Sequence, residues 1–152
     1  MTRGIHVGRH DHEGISMTRF RQAWLGACLA AAAAVCQPVL AEPPHPTVTT
    51  IRTQPLPNIP GKEVVMLTVE YAPGGADPIH RHDAHGFIYV LEGSIVMGVQ
   101  GGKEVVLTPG QTFHEGPDDI HTVGRNASTT QPAKFLVWLL KDVGVDAVLP
   151  VK

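Results

Sequence analysis

Between Gly74 and Gly93 the chain reads G-G-A-D-P-I-H-R-H-D-A-H-G-F-I-Y-V-L-E-G. Residues i and i+2 of a β-strand project from one face, so His80 and His82 offer two imidazoles to a single point while Arg81 turns away. Imidazole suits divalent transition ions, and two rings on one strand do not complete a coordination sphere. A third nitrogen or a carboxylate must arrive from another segment. His121, in P-D-D-I-H-T-V after a second apolar, glycine-punctuated run, is the candidate nitrogen. The candidate carboxylate is Glu115: parity over Gln111 to Glu115 sets Gln111, Phe113 and Glu115 on one face, Thr112 and His114 on the other. If that face is interior, three histidines and one carboxylate form a set able to hold Fe, Mn, Ni or Zn. The alternative is that the histidines line a metal-free pocket and Glu115 is a surface acid near its rim.

The elements that must position these residues read as short strands. Lys62 to Tyr71 is β-branched and apolar on both alternating faces, as expected of a strand between a core and a second layer. Ala72 to Pro78 is a Pro/Gly loop that delivers the chain to His80. Phe87 to Leu91 and Ser94 to Gln100 are strands separated by Glu92-Gly93, a two-residue hairpin signal. Glu104 to Leu107, Gln111 to Glu115 and a segment starting near Ile120 follow, divided by Gly101-Gly102, Pro109-Gly110 and Asp118-Asp119. Lys134 to Asp142, the longest apolar run, is read as a strand because Pro132 precedes it and Gly144 follows it among short strands. No helix of consequence is expected after residue 41. Short strands at regular spacing with tight turns indicate an all-β sandwich or barrel.

Ahead of these strands the chain divides further. Residues 17–41 carry Arg19 and Arg21, an apolar run from Trp24 to Val35, and the small-residue site Val39-Leu40-Ala41, the pattern of a secretory signal peptide. The apolar run is short for a membrane span. Residues 1–16 are read as a leader outside the native start at Met17, so the mature chain begins at Glu42 in the periplasm or outside the cell. The only two cysteines, Cys28 and Cys36, fall within the signal, and the mature chain needs no disulfide. Removing residues 1–41 takes away four of the twelve basic and two of the fourteen acidic residues, leaving a net charge of about −4. An acidic surface with no basic stripe argues against nucleic acid or an anionic membrane as partner. Residues 42–60 hold six prolines, which forbid a regular helix and favour an extended arm along a barrel edge, with Val48 to Ile51 its strand-like piece. The barrel itself is assigned to residues 61–148.

The run from Gly74 to Gly93 resembles the first motif of the cupin superfamily, and P-G-Q-T-F-H-E-G-P-D-D-I-H-T-V-G-R-N, ending at Asn126, resembles the second. Among cupins the chain is most similar to the small single-domain, quercetin-dioxygenase-like members. The resemblance implies a single small jelly-roll β-barrel, a metal held by His80, His82 and His121, and pairing as a homodimer. In the pattern a glutamate follows the His-x-His pair, and counting back from Y-V-L-E-G that slot falls on Gly86, which has no side chain to ligate with. His85 is adjacent but has opposite strand parity, and it reaches the metal only if the chain bulges. Asp83, Asp118 and Asp119 are close enough in sequence to accept hydrogen bonds from ligand imidazoles, or else they cap turns. Arg81, Arg125 and Asn126 are read as structural.

Besides these ligands the mature chain has no cysteine and no G-x-S-x-G elbow, so a metal must carry any catalysis. The site suits a non-haem dioxygenase, or a Lewis-acid isomerase or lyase, acting on a small organic molecule. The competing class is a non-catalytic module that binds or senses a small molecule. Phe87, Tyr89, Met97, Phe113 and Trp138 either line an aromatic-binding pocket or belong to the core.

Overall fold

Ten strands follow one another in the computed structural model, which describes residues 41–151. The leader and the signal segment read above lie, apart from Ala41, outside the described residues. The strands are β1 (Thr47–Pro55), β2 (Lys62–Tyr71), β3 (His80–Arg81), β4 (Ala84–Glu92) and β5 (Ile95–Val99). They continue with β6 (Val105–Leu107), β7 (Thr112–Glu115), β8 (Ile120–Asn126), β9 (Ala133–Asp142) and β10 (Leu149–Pro150). Among the described residues there is no helix. Two antiparallel five-stranded sheets form, ordered β1-β2-β9-β4-β7 and β10-β3-β8-β5-β6, the two-layer all-β fold that the strand pattern implied and the jelly roll that the cupin resemblance implied.

Period-two alternation sets the inner face of the first sheet. Val65, Leu67, Val69 and Tyr71 of β2 are buried, as are Phe135, Val137 and Leu139 of β9 and Ile88 and Val90 of β4. Register turns these into rows across the strands, because Leu67 faces Val137, which faces Ile88, and Val65 faces Leu139, which faces Gly86. β9 is central, hydrogen-bonded to β2 on one side and β4 on the other, which explains why Lys134 to Asp142 is apolar on both faces. Ile95 and Met97 of β5 close the core from the second sheet.

Three expectations are corrected or extended. Glu92-Gly93 is not a hairpin turn: β4 and β5 lie in different sheets, because both edges of β4 are taken by β9 and β7. The turn instead carries the chain across the core at Gly93, whose φ of +71° and contacts with Pro132 and Ala133 leave no room for a Cβ. The proline-rich arm contributes a nine-residue edge strand, β1, wholly exposed and paired to β2 of its own chain. Its start is tied down by the Ala76 N–H, which donates to Pro44 O at 3.1 Å. Finally, β10 extends the second sheet beyond residue 148.

Candidate metal centre

His80 and His121 meet because β3 and β8 pair with these two residues directly opposite. His82 follows two positions after His80 with its ring on the same side. The three offer one nitrogen each within 4.8 Å of one another, and all are at most 9% exposed. Each ring is oriented by a backbone carbonyl on its far side. His80 Nδ1 donates to Pro78 O at 2.8 Å, His82 Nδ1 to Ala147 O at 2.5 Å and His121 Nε2 to Val123 O at 2.7 Å. A carbonyl only accepts, so the proton of each neutral imidazole is committed outward and the remaining nitrogen turns a lone pair inward. The orienting partners are thus carbonyls and not Asp83, Asp118 or Asp119. Asp119 instead accepts the Gly116 N–H at 2.7 Å, capping its own turn.

The inward nitrogens are short of partners. His80 Nε2 and His82 Nε2 stand 3.0 Å apart with no proton left to share, and His121 Nδ1 is buried without any hydrogen-bond partner. Burial pushes His121 down to about 4 and lowers His82, so protonation of these two rings does not relieve the crowding near neutral pH. Facing lone pairs inside a buried cage are repulsive until a cation is placed among them, and these donors fit a divalent transition ion.

Glu115 joins the cage from the opposite sheet. Its Oε1 lies 3.3 Å from His121 Nδ1 and its Oε2 3.5 Å from His82 Nε2, and the residue is 3% exposed. These contacts are not ion pairs, since burial keeps the imidazoles neutral and pushes the Glu115 carboxyl up to about 7. Bound cations invert that preference and favour the carboxylate. Glu115 and Gly86 are directly paired across β4 and β7. A Cβ built on Gly86 would lie 3.7 Å from Glu115 Cβ and 3.8 Å from its Oε2, so the carboxylate enters beside the vacant slot from the next strand over.

His85 is not brought to the cage. The β4 register runs unbroken from Ala84 to Val90, so no bulge reverses its parity, and the ring is exposed on the outer face. There it stacks on His114, with Nδ1 of His85 3.3 Å from Nε2 of His114. The expected aromatic pocket is divided in the same way. Phe87, Tyr89 and Trp138 point outward and are 44–48% exposed, and with Phe113 and His114 they line an outer groove. Met97 alone of that set lines the inner cavity.

That cavity has a volume of about 170 Å³. The cage forms one part of its wall, and Leu67, Val69, Ile88, Phe135 and Val137 with Met97 form most of the rest. Pro46, Pro78 and the half-exposed Val48 and Val148 surround its outer part. A further polar residue, Asp77, faces the same space and escaped the sequence reading. Tyr71, fully buried, donates its hydroxyl to Asp77 Oδ2. The signal available was the G-G-A-D-P run, where an acid follows two glycines three positions before His80. Asn126, read as structural, donates through Nδ2 to Ala72 O and Gln131 O and accepts from the Ser128 N–H, fastening the loop ahead of β9.

Residues 67–139 match the family model described as the cupin domain. Among the curated proteins, no sequence matches this chain significantly. Of the solved structures, an uncharacterised conserved protein with a double-stranded β-helix domain from Klebsiella pneumoniae superposes with a TM-score of 0.57 at 15% identity. That alignment covers 73% of this chain and 90% of the other. Oxalate oxidase in complex with glycolate aligns with a TM-score of 0.50 at 27% identity, over 65% of this chain and 52% of the enzyme. The DMSP lyase DddQ from Ruegeria pomeroyi aligns with a TM-score of 0.51 at 23% identity, over 57% of this chain. The aligned part spans only 42% of the lyase.

Proposed function

Because residues 67–139 form a small cupin domain, we propose that the protein is a metal-dependent enzyme that oxidises a small organic molecule in the manner of a dioxygenase. His80, His82, His121 and Glu115 would hold the ion. The observation that carries this reading is the orientation of the three imidazoles, each with its proton donated outward and a lone pair turned into a buried cage beside a carboxylate. When bound, a redox-active divalent ion would supply Lewis acidity and one-electron chemistry. The chain's own residues do the rest. Pro78, Ala147 and Val123 carbonyls fix the tautomers, Glu115 offsets positive charge, and the apolar wall excludes water from the cavity.

The relatives' names support enzymes on this fold, since one is an oxalate oxidase and another a DMSP lyase. Lyase or isomerase action at the same ion is the outcome to expect if turnover proceeds without oxygen. We place the protein outside the cytoplasm, on the pattern of Arg19, Arg21, the apolar run and Val39-Leu40-Ala41. A homodimer would use the outer face of the first sheet, where Phe87, Tyr89 and Trp138 are half exposed, a concentration of apolar surface that marks association sites. Elemental analysis of the exported chain, followed by substrate screening with and without oxygen, tests the whole reading. A metal-free protein that carries a co-purified small molecule would favour the non-catalytic binding module instead.

A further inference from the structure

An ion in the cage would share its cavity with whatever it acts on, and the cavity's lining restricts what that is. Five polar residues face it: His80, His82, His121, Glu115 and Asp77. Every other lining residue is apolar, so neither lysine nor arginine is among them. Two carboxylates would then balance one divalent ion. A ligand bringing a further negative charge would enter a buried site with no cation to pair with.

Asp77 is built into its position. Its backbone N–H donates to Gly124 O at 2.8 Å, and its Oδ2 accepts from the buried Tyr71 hydroxyl. Gly124 leaves space for it: a Cβ there would lie 2.6 Å from Asp77 Oδ2 and 2.9 Å from His121 Cε1. Burial raises the Asp77 carboxyl above the usual range, while the Tyr71 hydroxyl favours the ionised form. A cation in the neighbouring cage would favour it further. The result is a fixed acceptor, separate from the ion's ligands, that opens onto the cavity.

Size limits what sits beside the ion. A cavity of about 150 Å³ accommodates benzene, so about 170 Å³ shared with an ion takes in roughly six non-hydrogen atoms of its ligand.

Resting on the metal reading above, we propose that the cavity selects a small uncharged chelator with a hydrocarbon end. Its other end carries two oxygens for the ion, one of them a hydroxyl that donates to Asp77. Small hydroxyketones and hydroxamic acids have this form. Asp77 both recognises the hydroxyl and turns away small dianions, which the metal alone would favour.

The test uses the full mature chain loaded with Co(II), titrated calorimetrically with acetohydroxamic acid, uncharged at neutral pH, and with oxalate, a dianion of similar size. Asp77→Asn keeps the side chain's shape and still accepts from Tyr71. It should weaken acetohydroxamic acid about tenfold, the loss of a charge-assisted hydrogen bond. It should tighten oxalate about tenfold, the removal of one repelling charge. Asp77→Ala, measured in parallel, should move both ligands in the same two directions, so the result does not depend on one variant folding. Bound Co(II) and melting temperature report that each variant is intact. Opposite shifts support the selectivity, and parallel or absent shifts with Co(II) bound overturn it alone. Failure of the wild type to take up Co(II) overturns the metal reading and the selectivity together.

Discussion

Two pairs of histidines in this molecule hold their nitrogens at almost the same separation, 3.0 Å between His80 and His82 and 3.3 Å between His85 and His114. They differ in everything else. The first pair is buried, each ring is held by a carbonyl behind it, and Glu115 and His121 face it. The second lies exposed on the outer face of the first sheet, stacked ring on ring. Proximity of imidazoles therefore does not make a cage. What makes one is the direction of each lone pair, set by what the opposite nitrogen donates to, together with burial that disfavours the charged form of His82.

The largest contrast should come from the ligands themselves. His80→Ala or His121→Ala is expected to weaken metal binding by more than about 100-fold, the upper range for loss of a mere orienting partner. His85→Ala and His114→Ala should leave affinity within about twofold. Competition against a chelator of known affinity measures all four.

Next comes Glu115→Gln, expected to weaken the metal about 10- to 100-fold. In the metal-free protein the same change has the opposite sign. The folded Glu115 carboxyl is raised to about 7 from its ordinary value of 4.5. The folded state thus binds the proton more tightly than the unfolded chain. Stability linked to this group is complete below the unfolded value and is lost as pH rises through about 7. Glu115→Gln should therefore stabilise the metal-free protein by about 3 kcal/mol at pH 8 and by almost nothing at pH 4. Denaturant melts at both pH values check this, and equal effects at both would contradict it.

A smaller net change is expected from moving the carboxylate across the strand pair. Gly86 faces Glu115 in register, and a Cβ at Gly86 meets only ordinary contacts at 3.5–3.8 Å. The double substitution Gly86→Glu with Glu115→Gly should recover metal affinity to within about tenfold of the wild type. Gly86→Glu alone puts a second buried carboxyl beside the first and should lower the stability of the metal-free protein.

Much of this was legible in the sequence because strand parity is a local rule. It set His80 and His82 together, sent Arg81 aside, and put Glu115 on the face opposite His114, as the burial of β3 and β7 has it. The same rule set His85 against the Gly86 slot. What parity could not supply was which strands pair. Glu92-Gly93 has the form of a hairpin turn, yet the sheet assignment of β4 and β5 depends on β9, some forty residues later. The carbonyls behind the imidazoles were equally invisible, since Ala147 meets His82 across 65 residues and no side chain marks it. Asp77 went unread because its role depends on Tyr71, six residues earlier at the end of β2.

Metal content of a chain beginning at Glu42, measured beside His121→Ala and His85→Ala after identical loading and dialysis, bears most directly on the cage. One equivalent of a divalent transition metal should remain in the wild type and in His85→Ala, and almost none in His121→Ala. A wild type that retains no metal, or a chain that keeps its metal without His121 and loses it without His85, would contradict the site described.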